Sequence, residues 1–214
     1  VNRNGFERDL FSIVKRGSVT PNRLALPWQP PEYKKPENSP KEKNLPPVDH
    51  QVLIATNATW EFLAGSHPRG LDWARPGFKG QGWSTGAAPF GYGEGRHNTE
   101  LREMRRSYTT VYLRREFTLE QADRVTELGL MLDYQDAAIV YINGREVARV
   151  GVTRSSGRNA QGIKTREDRG PVYITLKDVQ NCLKDGVNVL GIEGHVAVGD
   201  ANDFVLDPSL ILED

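Results

Sequence analysis

The chain has 214 residues, 37% hydrophobic and 26% charged, with 28 basic and 28 acidic side chains. A formal net charge of zero supplies no overall field to recruit nucleic acid or an anionic membrane, and the apolar runs fall far short of the roughly 20 residues that span a bilayer. The single cysteine, Cys182, excludes an internal disulfide and a cysteine-based zinc site.

The sequence begins at Val1 with neither Met nor a signal-peptide pattern, and reads as a mature or excised fragment of something longer. Three zones follow. In residues 1–17, Phe6, Leu10, Ile13 and Val14 recur at helical spacing and Gly17 is a stop, which predicts a short helix with one apolar face to bury. That face either packs on the main body or docks a neighbouring domain. Residues 18–50 hold eight of the 13 prolines. Such a run excludes a helix or a central strand and predicts an extended strap or linker, with Trp28 and Tyr33 able to pin it.

From about residue 51 to the end the chain is rich in short strands. "VLIAT" and "TWEFL" come first. "GFKGQGWSTGAAPFGYGEG" reads as a long loop anchored by Trp83, Phe90 and Tyr92. The third spacing of "GYGEG" is wrong for a dinucleotide fingerprint, and no amphipathic helix follows it. "RHNTELREMRRS" interleaves bases with Glu100 and Glu103, as a solvated ion-pair loop does. "TTVYLRREFTL" places Val111, Leu113, Arg115 and Phe117 on one face. "VTELGLMLD" gathers Leu128, Leu130 and Leu132 on another.

"AAIVYI" and "REVARV" flank Asn143-Gly144, a hairpin signal, because both central residues of a type I′ turn need positive φ. "GVTRSSGRNAQGIKTREDRGP" reads as a long loop and a place for ligand contacts. "LKDVQNCLKDG" reads as a short helix with Val179, Cys182 and Leu183 inward and Gly186 as its stop. "PVYITL", "VNVLGIEGHVAV" and "FVLDPSLIL" are further strands. Many short strands and almost no helix predict an all-β fold, an antiparallel β-sandwich or jelly roll.

Two groups carry possible chemistry. Glu193, His195, Asp200 and Asp203 lie close in sequence, and on a strand Glu193 and His195 point the same way. They would serve a hydrolase if they converged; a hydrogen-bonded structural His195 is the alternative. Asp133 and Asp136 bracket the turn before the hairpin and either cap backbone amides or, with Asp200 and Asp203, offer oxygens to calcium. A carboxylate pair for glycoside hydrolysis stays open, since nothing in the sequence fixes the separation.

"ATWEFLAGSHP", "LDWARPGFKGQGWSTGAAPFGYGEG", "TVYLRREFTL", "LGLMLDYQDAAIVYINGREVAR", "LKDGVNVLGIEGHVA" and "DFVLDPSLIL" occur in that order between Ala55 and Leu212. This succession resembles the galactose-binding-like jelly-roll modules, similar to carbohydrate-binding modules, appended to large secreted bacterial proteins, some with phosphoesterase or other hydrolase domains. The resemblance implies a jelly-roll domain over residues 51–214 and a non-catalytic role in glycan binding or domain docking. It places the protein outside the cell, in the periplasm or at the cell surface. Partners would be a carbohydrate or a neighbouring domain of the parent protein, with calcium as the one candidate ion. The ligand residues it implies are Trp83, Tyr92, Asp136, His195 and Asp203; the metal residues are Asp133, Asp136, Asp200 and Asp203. Here Asp133 and Asp136 are separated by Tyr134 and Gln135, wider than the family pattern. A structural or interaction module locked to its parent is the alternative, and a hydrolase using Glu193, His195 and Asp203 the third.

Overall fold

The computed structural model describes residues 42–43, 50–152, 170–197 and 202–213. The expected N-terminal helix, most of the strap, Trp28, Asp200 and the loop "TRSSGRNAQGIKTREDR" lie outside the described residues.

Thirteen strands form among the described residues: β1 Glu42–Lys43, β2 His50–Ile54, β3 Thr59–Ala64, β4 Ser84–Ala87, β5 Phe90–Tyr92, β6 Thr99–Glu100, β7 Thr110–Leu119, β8 Glu127–Tyr134, β9 Ala137–Ile142, β10 Arg145–Val150, β11 Val172–Lys177, β12 Gly186–His195 and β13 Phe204–Glu213. One sheet runs β1-β11-β8-β13-β5-β6, with β2 also pairing β13, and the other runs β10-β9-β12-β7-β3-β4. All pairs are antiparallel except β5 with β6. The chain changes sheet eight times among the described strands, between β2 and β3, β4 and β5, β6 and β7, β7 and β8, β8 and β9, β10 and β11, β11 and β12, and β12 and β13. The protein is therefore the antiparallel β-sandwich that its strand pattern predicts.

Alternation sets the core. Leu128, Leu130 and Leu132 of β8 are fully buried and meet Val111, Leu113 and Phe117 of β7, Val140 and Ile142 of β9, and Leu190 and Ile192 of β12. Each such side chain contributes about 1.5–3 kcal/mol by leaving water. The opposite face of the six-stranded sheet is also covered. Tyr112, Ile139 and Tyr141 point outward there, and the turn Asp72–Ala74 lays Trp73 over them. Gly191 on β12 makes the socket: a Cβ there would stand 2.8 Å from Ala74 Cβ and 2.9 Å from Trp73 Cζ3. Arg114 holds the lid down. Its Nε donates to Trp73 O at 2.8 Å, Nη1 donates to Glu61, and the guanidinium lies 5.6 Å above the Phe78 ring.

The Asn-Gly turn has the geometry that its residues demand, with φ of 50° at Asn143 and 81° at Gly144. The Asn143 side chain does more than turn the chain. Its Nδ2 donates to Cys182 O and to Asn188 Oδ1, both at 2.7 Å, and its Oδ1 accepts from Val189 N at 2.9 Å. Asn188, fully buried, accepts from Lys184 N at 3.0 Å and donates to Lys184 O at 2.7 Å and Gly186 O at 3.0 Å. The hairpin is thus tied to the turn that leads into β12.

Two expectations need correction. "LKDVQNCLKDG" forms only a 3₁₀ turn at Val179–Asn181, not a helix, because Asp178 enters it in the left-handed region and the Asn188 amide takes up the backbone of Lys184 and Gly186. Val179 is buried as expected, and Cys182 and Leu183 pack partly on the core. The Gly-rich "loop" holds two strands, β4 and β5, since Phe90 and Tyr92 are drawn into the sandwich by burial and by pairing with β13.

Candidate functional site

One rim of the sandwich collects four chain segments. Strand β8 hands over to β9 at Tyr134–Ala137, β12 ends at His195 opposite Ala137, and β5 ends at Tyr92 opposite Phe204 at the start of β13. Three of the expected ligand residues, Tyr92, Asp136 and Asp203, meet here, and His195 ends the strand beside them.

Asp136 is a tether. It is 2% exposed, and its Oδ2 accepts from Ala197 N at 2.7 Å, holding the chain that leaves β12. Tyr92 is buried and its ring stacks on Phe204 with centroids 6.3 Å apart. Burial first, then the Asp136 charge, push its phenol above the ordinary value; Arg105 opposes this and Asp203 adds to it. Asp136, Arg105 and Asp203 thus all act on the Tyr92 hydroxyl. Arg105 reaches Asn202 as well, with Nη2 donating to Oδ1 at 3.2 Å on the exposed side. Arg105 and Asn202 were not singled out in the sequence. Arg105 is hidden there within a basic run, and only the fold brings it to Asn202.

His195 turns toward the outer face of the six-stranded sheet. Its Nδ1 is 3.1 Å from Thr110 Oγ1 and its Nε2 is 2.9 Å from Glu193 Oε1. Tyr141 Oη donates to Glu193 Oε2 at 3.2 Å. His195, Glu193 and Tyr141 are each no more than 2% exposed. The shared orientation of Glu193 and His195 read from the strand is correct, and it builds a buried polar chain.

Trp83 is not part of the rim cluster. It stacks on Trp73 with centroids 5.8 Å apart, and Phe78 meets it edge-on at 5.7 Å. Its aromatic surface thus helps seal the lid over the sheet.

Asp133 lies on the outer face of the seven-stranded sheet, directly opposite Asp207. Burial, and next the Asp133 charge, raise the Asp207 carboxyl from 3.8 to about 6. Nothing local in the sequence marks this pair, because the two stand 74 positions apart and only strand register joins them. Among the described residues no group of three His, Cys, Asp or Glu side chains is placed to hold a metal ion. The calcium set would need Asp200, which lies outside them.

No protein-family model matches the sequence, and no curated protein matches it either. Several solved structures are similar. A Bacteroides uniformis β-glucuronidase aligns at 19% identity and a TM-score of 0.49 over 77% of this chain and 18% of its own. A β-glucuronidase from an uncultured Clostridium sp. aligns at 13% identity and 0.48 over 82% and 31%. A Bifidobacterium dentium β-glucuronidase aligns at 19% and 0.46 over 73% and 22%. This chain therefore spans less than a third of the length of each.

Proposed function

We propose that this chain is a non-catalytic accessory domain of a longer exported protein, making its contacts through the rim around Tyr92, Arg105, Asn202 and Asp203. The observation that carries this is the fate of the reactive-looking groups. His195, Glu193 and Asp136 are shut away from solvent and engaged by Thr110, Tyr141 and Ala197 N. A side chain that serves as an acid or base must reach its substrate, and these face into the fold. Export rests on the resemblance to modules of secreted bacterial proteins.

Docking on a neighbouring domain is the better supported use of the rim. A sugar-binding face needs aromatic rings open to solvent; Trp60 and Trp73 are buried, and the half-buried Trp83 has one ring face taken up by Trp73. Glycan binding is the second reading, favoured by the exposed guanidinium and amide of Arg105 and Asn202 beside Asp203.

A glycan array, run with and without calcium on the natural chain and on Arg105→Ala, separates the two. Docking expects no saturable signal. A sugar signal lost in Arg105→Ala establishes the glycan reading instead. Turnover of chromogenic glycosides or phosphoesters that disappears in His195→Ala would overturn both.

A further inference from the structure

Two like-charged side chains face each other just below the rim. Strands β8 and β13 run antiparallel, and their ladder ends with the rungs Leu132–Pro208, Asp133–Asp207 and Tyr134–Leu206. Gln135 N then donates to Val205 O at 3.2 Å. Asp136 follows closely on Asp133, and Asp203 shortly precedes Asp207, so both strands lead from the pair into the rim. Side chains directly opposite on neighbouring strands have Cβ atoms about 5 Å apart, and like charges there destabilise the pairing. Water does not relieve Asp207, whose Oδ1 is buried without a hydrogen-bond partner among the described residues.

The sheet is thin at this point. Strand β5 pairs with Phe204–Leu206 of β13, and β2 pairs with Leu210–Glu213. Asp207, Pro208 and Ser209 between them are paired with β8 alone among the described residues. Pro208 suits such a stretch, since it brings no N–H that would need a partner on the second side. The other titratable groups on this face are His97, whose ring lies over Gly91 of β5, and Tyr173 of β11, whose hydroxyl lies over Gly129. Burial first, and then the Asp133 charge, raise the Asp207 carboxyl to about 6.

We propose that the Asp133–Asp207 pair is a pH latch on the rim: with Asp207 protonated the last rungs of the β8–β13 ladder close firmly, and with both carboxyls ionised they open more often and loosen the mounting of Asp136 and Asp203. The sign follows from linkage. The closed rung binds its proton more tightly than an opened one, so closure is favoured in acid and loses that favour as pH rises through 6. On the docking role given to the rim above, on which this use of the latch rests, a partner is held more firmly in acid than at neutral pH.

Amide hydrogen exchange of the full chain tests the latch with no partner present, so its outcome is separate from whether the rim docks one. Rates are read residue by residue by NMR near pH 5 and pH 7 and divided by the intrinsic rate at each pH. The reporters are Gln135 N at the rim and Asn143 N, which donates to Val189 O at 3.0 Å at the hairpin end of the sandwich. An opening that returns Asp207 to the ordinary carboxylate value is about tenfold more frequent at pH 7 than at pH 5. Gln135 is expected to be less protected than Asn143 and to lose about tenfold in protection between the two. In Asp207→Asn, which keeps His97, that loss is expected to vanish. Equal protection of Gln135 at both pH values, or a loss that persists in Asp207→Asn, overturns the latch. So does a Gln135 that matches Asn143 in protection and pH response, since the pair would then act on global unfolding alone. Should Asp207→Asn not fold, Asp133→Asn decides: a smaller loss supports the pair, and an undiminished one overturns it.

Discussion

Replacing Asn188 with Ala tests whether the Asn143–Asn188 pair ties the hairpin to β12. The Asn188 amide makes four hydrogen bonds, to Lys184 N, Lys184 O, Gly186 O and Asn143 Nδ2. Its side chain has no more to give, since an amide offers two donors and an acceptor with two lone pairs. Each bond is worth about 1 kcal/mol net, and an orphaned buried partner costs about 1–3 kcal/mol. Lys184 is exposed, so water replaces the bonds to its backbone and their loss counts for little. The loss concentrates on Asn143 Nδ2 and Gly186 O, which sets the expected destabilisation at about 2–4 kcal/mol. For a chain of this size that is a fall in melting temperature of about 6–12 °C. Thermal and urea unfolding followed by far-UV circular dichroism measures it. Asn188→Asp keeps the acceptor but loses both donors and buries a charge, so it should cost at least as much. A loss below about 0.5 kcal/mol in Asn188→Ala would refute the reasoning.

Gly144→Val is expected to lower the melting temperature, because a β-branched residue resists a φ of 81° and its Cβ would stand 2.7 Å from Arg75 Nε; an unchanged melting curve would contradict it. Arg114→Leu is expected to cost about 2–3 kcal/mol, less than a fully buried pair because Glu61 is half exposed. The accompanying red shift in tryptophan fluorescence would report the lid of Trp73 and Trp83 lifting. Asp207 carries a pH signature: its folded carboxyl titrates near 6 against an ordinary 3.8. Between those values the folded state holds a proton that the unfolded state releases, so its contribution is full at low pH and falls as pH rises through 6. Asp207→Asn should flatten stability between about pH 4 and 6 and raise the melting temperature at pH 7; an unaltered slope would count against the pair.

The sequence revealed the sheets well because their signals are local. Alternation along Thr110–Leu119 and Glu127–Tyr134 sorts side chains by face within a few residues, and Asn143-Gly144 fixes one turn by its own φ preferences. What alternation cannot say is whether the second face meets water. Tyr112, Arg114, Tyr141, Glu193 and His195 lie on that second face, and all are buried. For Tyr112 and Tyr141 the missing information lies in Trp73, about 40 to 70 residues away in the chain, and in Gly191, whose absent side chain admits it. A lone glycine in a strand marks close approach without naming what approaches.

That same gap explains why the candidate site was only half legible. Tyr92, Asp136 and Asp203 do meet, because β5, the β8–β9 corner and the start of β13 all end at one rim. The resemblance groups Trp83 with them, but a ring seeks whichever apolar surface is nearest, and here that is Trp73. Strand parity places His195 correctly, but the outer face that it reaches is closed to solvent there. The burial that makes Glu193 and His195 a strong structural pair is what withholds them from any ligand. One comparison separates these roles: His195→Gln should lower stability and leave rim binding untouched, whereas Asp203→Ala should do the reverse. If instead His195→Gln abolished binding at unchanged melting temperature, the buried chain would have to be read as part of the ligand site.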